Sequence, residues 1–129
     1  MSIFRKIVDG EIPSHKIYED DNVLAFMDIH PIQPGHVLVI PKKEVETFEQ
    51  LDDELYMQVM TVVKRVASKI KQELKPKRVG VIIEGFDVPH AHIKVLPINS
   101  EAELRHLPNM DEEPDHDALA KMAERLRLE

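Results

Sequence analysis

His90, His92 and Lys94 stand two residues apart in the run Val88-Pro89-His90-Ala91-His92-Ile93-Lys94-Val95-Leu96-Pro97. On an extended strand, alternate side chains point to opposite faces, so these three line one face and Ala91, Ile93 and Val95 line the other. Core packing accounts for the apolar face. It gives no reason for two imidazoles and an ammonium in a row. Such a row suits an anionic, phosphate-like group, and the two imidazoles also form a pair of metal ligands. Without either use, the row is a solvated polar face.

Three chemistries fit these residues. A metal site would take His90 and His92, with His36 as a third ligand, but Lys94 is a poor neighbour for a cation. Nucleophilic attack on phosphorus suits a neutral imidazole whose other ring nitrogen is held, with nearby cations to stabilise the phosphoryl oxygens. His90, Lys94 and His36 can supply that setting. The same groups also make a phosphate-binding pocket without turnover, and periodicity does not separate the last two.

Composition narrows the class. The 129-residue chain fits one domain, long enough to bury most of the surface its unfolded form exposes. No apolar run approaches the roughly 20 residues of a membrane span, and Met1-Ser2-Ile3-Phe4-Arg5-Lys6 lacks the apolar stretch of an export signal. With no cysteine there is no disulfide, thiolate ligand or thiol nucleophile, and a cytoplasmic address fits. A net charge of −7 argues against an extended nucleic-acid footprint, which needs a basic face. A small phosphorylated ligand needs only a few donors and is not excluded.

The elements that must position these residues follow from pattern. Ile3, Phe4, Ile7 and Val8 have helical spacing, and Gly10 ends that helix. Residues 15–19 and 23–28 read as strands of a hairpin around Asp20-Asp21-Asn22, and 36–40, closed by Pro41, as a buried central strand. A short helix is expected over 45–50. The long helix over 52–75 has Asp52 as its cap, a 3.6-residue stripe from Leu55 to Leu74, and Pro76 as its stop. Residues 79–83 read as a strand, tightly linked through Gly85 to the His-x-His strand. Residues 1–98 form the expected domain. In the extension, 99–129, a polar stretch precedes a helix capped by Asp115, with a stripe of Leu119, Met122, Ala123 and Leu126 that either docks on the domain or meets a partner. The class is α+β, with an antiparallel sheet of about five strands and the long helix packed on it.

Several collinear blocks resemble the histidine triad (HIT) family, whose signature is His-φ-His-φ-His-φ-φ, with φ apolar. They are Ile3-Phe4-x-Lys6-Ile7-x-x-Gly10-Glu11-Ile12-Pro13, Tyr18-Glu19-Asp20-Asp21, Ala25-Phe26-x-Asp28-Ile29, Pro34-Gly35-His36-x-Leu38-Val39-Ile40-Pro41-Lys42-Lys43, and the His-x-His run itself. The resemblance implies a homodimeric nucleotide hydrolase or transferase acting at an α-phosphate and releasing a nucleoside monophosphate. The substrate would be a nucleoside phosphoramidate or an adenylylated or dinucleotide compound. His92 would attack phosphorus and carry the nucleotide, with His90, His36 and Lys94 assisting. Asp28 would bind ribose hydroxyls, and Ile3, Phe4, Ile7 and Ile29 would hold the base. No cofactor is implied.

The chain also departs from the family pattern. Lys94 stands at the third histidine, keeping charge and donors without a ready proton shuttle near neutral pH. The Gly-Gln-Ser/Thr loop before the motif is shortened to Glu84-Gly85-Phe86-Asp87-Val88-Pro89, whose carboxylates repel phosphate if they face it. The usual Asn late in the preceding strand is missing from Val81-Ile82-Ile83-Glu84. Glu44 replaces a further histidine. Ser2-Ile3-Phe4-Arg5 stands where zinc-holding members have Cys-x-x-Cys, which speaks against zinc. These departures leave a nucleotide-binding module with little catalysis as the alternative.

Overall fold

Alternation along the strands settles the layers. In the computed structural model, which describes residues 2–128, five strands form one antiparallel sheet. They are β1 (Lys16–Glu19), β2 (Val23–Met27), β3 (Val37–Pro41), β4 (Arg78–Ile82) and β5 (Ile93–Ile98), in the spatial order β1-β2-β3-β5-β4. Met1 and Glu129, the outer ends of the expected domain and extension, lie outside the described residues. Val23, Ala25, Met27, Val37, Val39, Ile93 and Val95 point to one side, and Leu24, Phe26, Leu38 and Ile40 to the other. Every position of β2 and β3 is buried, because each side of the sheet is covered.

The first side is covered by α2 (Asp53–Leu74) and α4 (His116–Leu126). Asp52 caps α2 by accepting the Leu55 N–H at 2.8 Å, and Val59, Val62, Val63, Val66 and Ile70 bury its apolar stripe against the sheet. Each such side chain contributes about 1.5–3 kcal/mol of burial. Lys75 ends α2 in the left-handed conformation, φ 53°, ahead of Pro76. In α4, Leu119, Ala123 and Leu126 join the same core, and the Leu128 N–H bonds the Ile17 carbonyl at 2.9 Å. The opposite side carries α1 (Ile3–Val8), whose Phe4 and Ile7 pack on Leu24, Phe26, Leu38 and Ile40, and at its β4–β5 end Leu104, from a single helical turn, lies over Gly80. No helix among the described residues is long and apolar enough to cross a membrane.

Three expectations need correction. The His-x-His segment is not strand: β5 begins at Ile93, and residues 83–92 are irregular. Pro89 has no N–H, the His90 N–H turns back to the Val88 carbonyl, and the Ala91 N–H leaves the sheet for Val45. That last bond also limits the expected helix over 45–50 to one 3-10 turn, Phe48–Gln50, since the Val45 carbonyl is engaged elsewhere. Within the polar stretch after Pro97 a one-turn helix, α3 (Glu101–Leu104), is capped by Ser100 and is too short to leave a periodic signal.

Candidate active site

The irregular 83–92 segment folds back beside β3 and brings its two histidines under α1. His92 is fully buried, and its Nδ1 donates to the His90 carbonyl at 2.7 Å. A carbonyl only accepts, so Nδ1 carries a proton and Nε2 is the atom that faces outward. The Phe4 ring stands edge-on to it, 5.1 Å between centroids. The hydrogen bond and the ring contact together hold the imidazole against α1.

His90 is the strut that supports this arrangement. Its Nε2 donates to the Pro41 carbonyl at 2.8 Å and its Nδ1 accepts from Ser2 Oγ at 2.9 Å. Burial lowers its pKa below the ordinary imidazole value, so it is a neutral ring with both nitrogens engaged. Ser2 ties the strut to the helix: its Oγ also accepts the Arg5 N–H as the α1 cap, and its N–H donates to Glu44 at 2.6 Å. Glu44 thus acts through Ser2, one bond away from His90.

His36 occupies the first position before β3. The Ile32 N–H donates to its Nδ1 at 3.1 Å, which leaves the proton on Nε2. That buried Nε2 has no hydrogen-bond partner; Asp28 Oδ2 lies 3.7 Å away, beyond hydrogen-bond reach. Burial, with Lys94 and His92 adding to it, pushes the His36 pKa down to about 3. It is a neutral donor with one unfilled bond. Asp28 follows β2, its Oδ1 accepting the His30 N–H at 2.8 Å while Oδ2 faces His36, and burial raises its pKa.

Lys94, on β5, is mostly buried and lies between two carboxylates, 3.3 Å from Glu84 and 3.6 Å from Asp87. Asp87 also meets His92, Oδ1 to Nε2 at 3.1 Å, a contact that requires a proton on Nε2. Partial burial works to raise the Asp87 pKa, but Lys94 and His92 outweigh it and hold the carboxyl below its ordinary value.

These groups border a cavity of about 490 Å³, inside the range of roughly 300–1,000 Å³ usual for small-molecule sites. Ile3, Phe4, Ile7 and Ile29 form an apolar wall, and Asp28, His36, Glu84, Asp87 and Lys94 form the polar end. Ile3 and Ile29 are half-exposed there, while Phe4 and Ile7 also belong to the core. His90 and His92 lie behind the wall, with Asp87 in front of His92. A second concavity, of about 440 Å³, gathers Lys42 and Lys43 with Asp21, Asp52 and Glu54 and shares no residue with the first.

A metal does not fit this donor set. Glu84, Asp87 and His92 bring ligand atoms within 4.8 Å of one another, but the Lys94 ammonium already lies against both carboxylates. His90 has both nitrogens committed and His36 presents an N–H rather than a lone pair.

The HIT domain family matches residues 9–101. The chain belongs to the HIT family. The protein "hit" of Bacillus subtilis is 40% identical over 100 residues, 74% of this chain and 69% of that one. The adenosine 5′-monophosphoramidase of Candida albicans is 32% identical, covering 98% of this chain and 90% of that one. Among solved structures, a Hit-like protein involved in cell-cycle regulation from Bartonella henselae superposes with a TM-score of 0.83 at 32% identity, over 98% of this chain and 94% of that one. This HIT protein shares its five-stranded antiparallel fold with that neighbour.

Ser2, Ser14 and the segment after α3 were not legible as site residues. Ser14 lines the cavity with a buried hydroxyl that has no partner. His106, Leu107, Pro108 and Met110 form part of the rim, and His30 Nε2 meets the Glu112 carbonyl at 3.1 Å. Their placement depends on long-range contacts with no local signature. Glu84 and Asp87 were visible as departures, and they do face the cavity.

Proposed function

We propose that this HIT protein hydrolyses a nucleoside 5′-phosphoramidate, or a related adenylylated or dinucleotide compound, at the α-phosphorus through a nucleotidyl-His92 intermediate. The observation that carries the proposal is the fixed His92 ring. Its Nδ1 is held by the His90 carbonyl and its Nε2 is directed toward Asp87, whose other oxygen meets Lys94, at the polar end of an apolar cavity. With Nδ1 keeping its proton, the lone pair of this ring, once the Asp87 contact is released, is placed at Nε2 alone. The similarity to the C. albicans monophosphoramidase supports the same substrate class.

In this reading the base lies against Ile3, Phe4, Ile7 and Ile29, and Asp28 Oδ2 accepts from the ribose hydroxyls. The His92 Nε2 pair attacks phosphorus as the bond to the leaving amine breaks, and the amine departs with that bond's electron pair and a proton from water. Lys94 and the free Nε2–H of His36 stabilise the phosphoryl oxygens, where preorganised donors have most effect. Water then cleaves the phosphorus–Nε2 bond and releases the monophosphate. No step requires a cofactor. The protein works as a homodimer, with the outer edge of β4 free to pair with a second copy; Val81 on that strand is half-exposed.

A panel of nucleoside phosphoramidates and dinucleotides, run on wild type and His92→Ala together, tests this. Turnover of at least one by wild type alone is expected; equal turnover by the variant sinks the mechanism. Asp87 on Nε2 and Lys94 at the third motif position favour a second reading, a nucleotide-binding module with little catalysis. It requires AMP or GMP binding with negligible turnover across the same panel.

A further inference from the structure

One contact at the cavity is unused by that reaction. His92 has only Nε2 left to meet phosphorus, and Nε2 is covered: Asp87 Oδ1 lies 3.1 Å from it and Asp87 Oδ2 lies 3.6 Å from Lys94 Nζ. Both oxygens of an ionised carboxylate are acceptors, so the 3.1 Å contact holds a proton on Nε2, and a nitrogen that carries a proton has no pair with which to attack. The two oxygens bridge an imidazole N–H and an ammonium, as two oxygens of a phosphate group would.

We propose that Asp87 is an internal stand-in for the substrate's phosphate, and that substrate binding exchanges its carboxylate for the α-phosphate on His92 and Lys94. This rests on His92 being the nucleophile. Binding strength for a phosphorylated ligand is then set by competition with Asp87, so the residue selects for ligands whose anionic group outcompetes a carboxylate at two donors. The phosphate first accepts the Nε2–H as the carboxylate did; the Nε2–H bond then breaks, its proton passes to water, and the electron pair left on Nε2 faces phosphorus.

The surroundings allow the exchange. Asp87 is half-exposed and belongs to the irregular 83–92 segment. Gly85, two residues before it, has φ 75° and nothing within 4 Å of where a Cβ would stand, and Phe86 between them is 93% exposed. Neither Gly85 nor Phe86 belongs to the core, and Val88, which packs on the α1-side core, marks the end of the part that moves. Lys94 stays in place, because β5 is paired with β3 and β4 on either side, and it keeps Glu84 at 3.3 Å when Asp87 departs.

Titration calorimetry at low ionic strength on wild type, Asp87→Asn, Asp87→Ser and Glu84→Gln tests the exchange, with AMP and inorganic phosphate as separate probes. Removing a carboxylate a few ångströms from an anion seat is expected to tighten binding about tenfold. Both Asp87 variants should show this gain, and Glu84→Gln, which touches Lys94 but not His92, a smaller one. No gain for either probe overturns the proposal, as does an equal gain from Glu84→Gln. If AMP fails to bind while phosphate still gains, the nucleotide reading falls and the exchange stands. A structure with AMP bound gives the direct view: phosphate oxygens on His92 and Lys94 with Asp87 displaced support it, and Asp87 still on His92 contradicts it.

Discussion

On the α2 side of the sheet, Val62, Val66 and Ile70 share one apolar core with Val39, Ile93 and Val95, and α4 closes it further. On the α1 side, Phe4 and Ile7 share Leu38 and Phe26 with a cavity, and the buried polar side chains of the described residues, Ser2, His36, His90 and His92, all lie there. The same two-residue alternation builds both sides. The difference lies in the cover: 22 residues of helix plus α4 on one side, and the short helices α1 and α3 with irregular segments on the other. A long helix completes the burial of its side of the sheet. Short ones leave room for a ligand, and they leave imidazoles oriented by hydrogen bonds to Ser2, Pro41 and a backbone carbonyl.

The largest expected effect breaks the comparison at its closed side. Ile70→Ala, at a fully buried position, should cost about 2–5 kcal/mol of stability in denaturant unfolding and leave kcat/KM unchanged below the transition. The corresponding truncation on the open side, Ile29→Ala, should cost less than about 0.5 kcal/mol and raise KM instead. Equal stability losses would mean that the two sides are packed alike.

Acid should act on the open side through His36. This base has its folded pKa held at about 3 against an ordinary 6.5, so the unfolded chain takes up the proton first. The stability it contributes is complete above the ordinary imidazole range and is lost as pH falls from 6.5 toward 3. His36→Asn, whose side-chain oxygen can still accept from Ile32, should flatten that limb of the stability curve. A limb of unchanged slope would place the acid sensitivity elsewhere.

A smaller effect with divided sign is expected at Asp28. Burial raises its pKa, so the carboxylate is held at some cost near neutral pH. Asp28→Asn keeps the bond to the His30 N–H and removes that charge. It should raise stability by less than about 1 kcal/mol while weakening AMP binding. Loss of stability together with unchanged affinity would make Asp28 a turn residue only.

The fold was legible where one physical rule acts over many residues. The stripe of α2, its Asp52 cap and the alternation in β2 and β3 each repeat one constraint, and the structure follows them to within a residue at the ends. The helix α3, a single turn set by Ser100, repeats nothing. For the site, residue types were legible and geometry was not. The spacing of His90, His92 and Lys94 suggested one strand face, yet the two rings are oriented by Ser2, Pro41 and a backbone carbonyl, before β5 begins. Ser2 lies 88 residues from His90, and no local pattern carries that contact. Asp87 was visible as an acidic residue in an anion loop, but its bond to His92 required the folded chain.

The claim on which the rest depends is that His92 Nε2 is the atom that takes the nucleotide. Its most direct test is a single-turnover reaction with a nucleoside phosphoramidate labelled at the α-phosphorus, quenched in base and mapped by peptide mass. Label on His92 that rises and decays in wild type, absent from His92→Ala together with a loss of about four orders of magnitude or more in kcat, is the predicted result. Release of monophosphate by His92→Ala at the wild-type rate would contradict it.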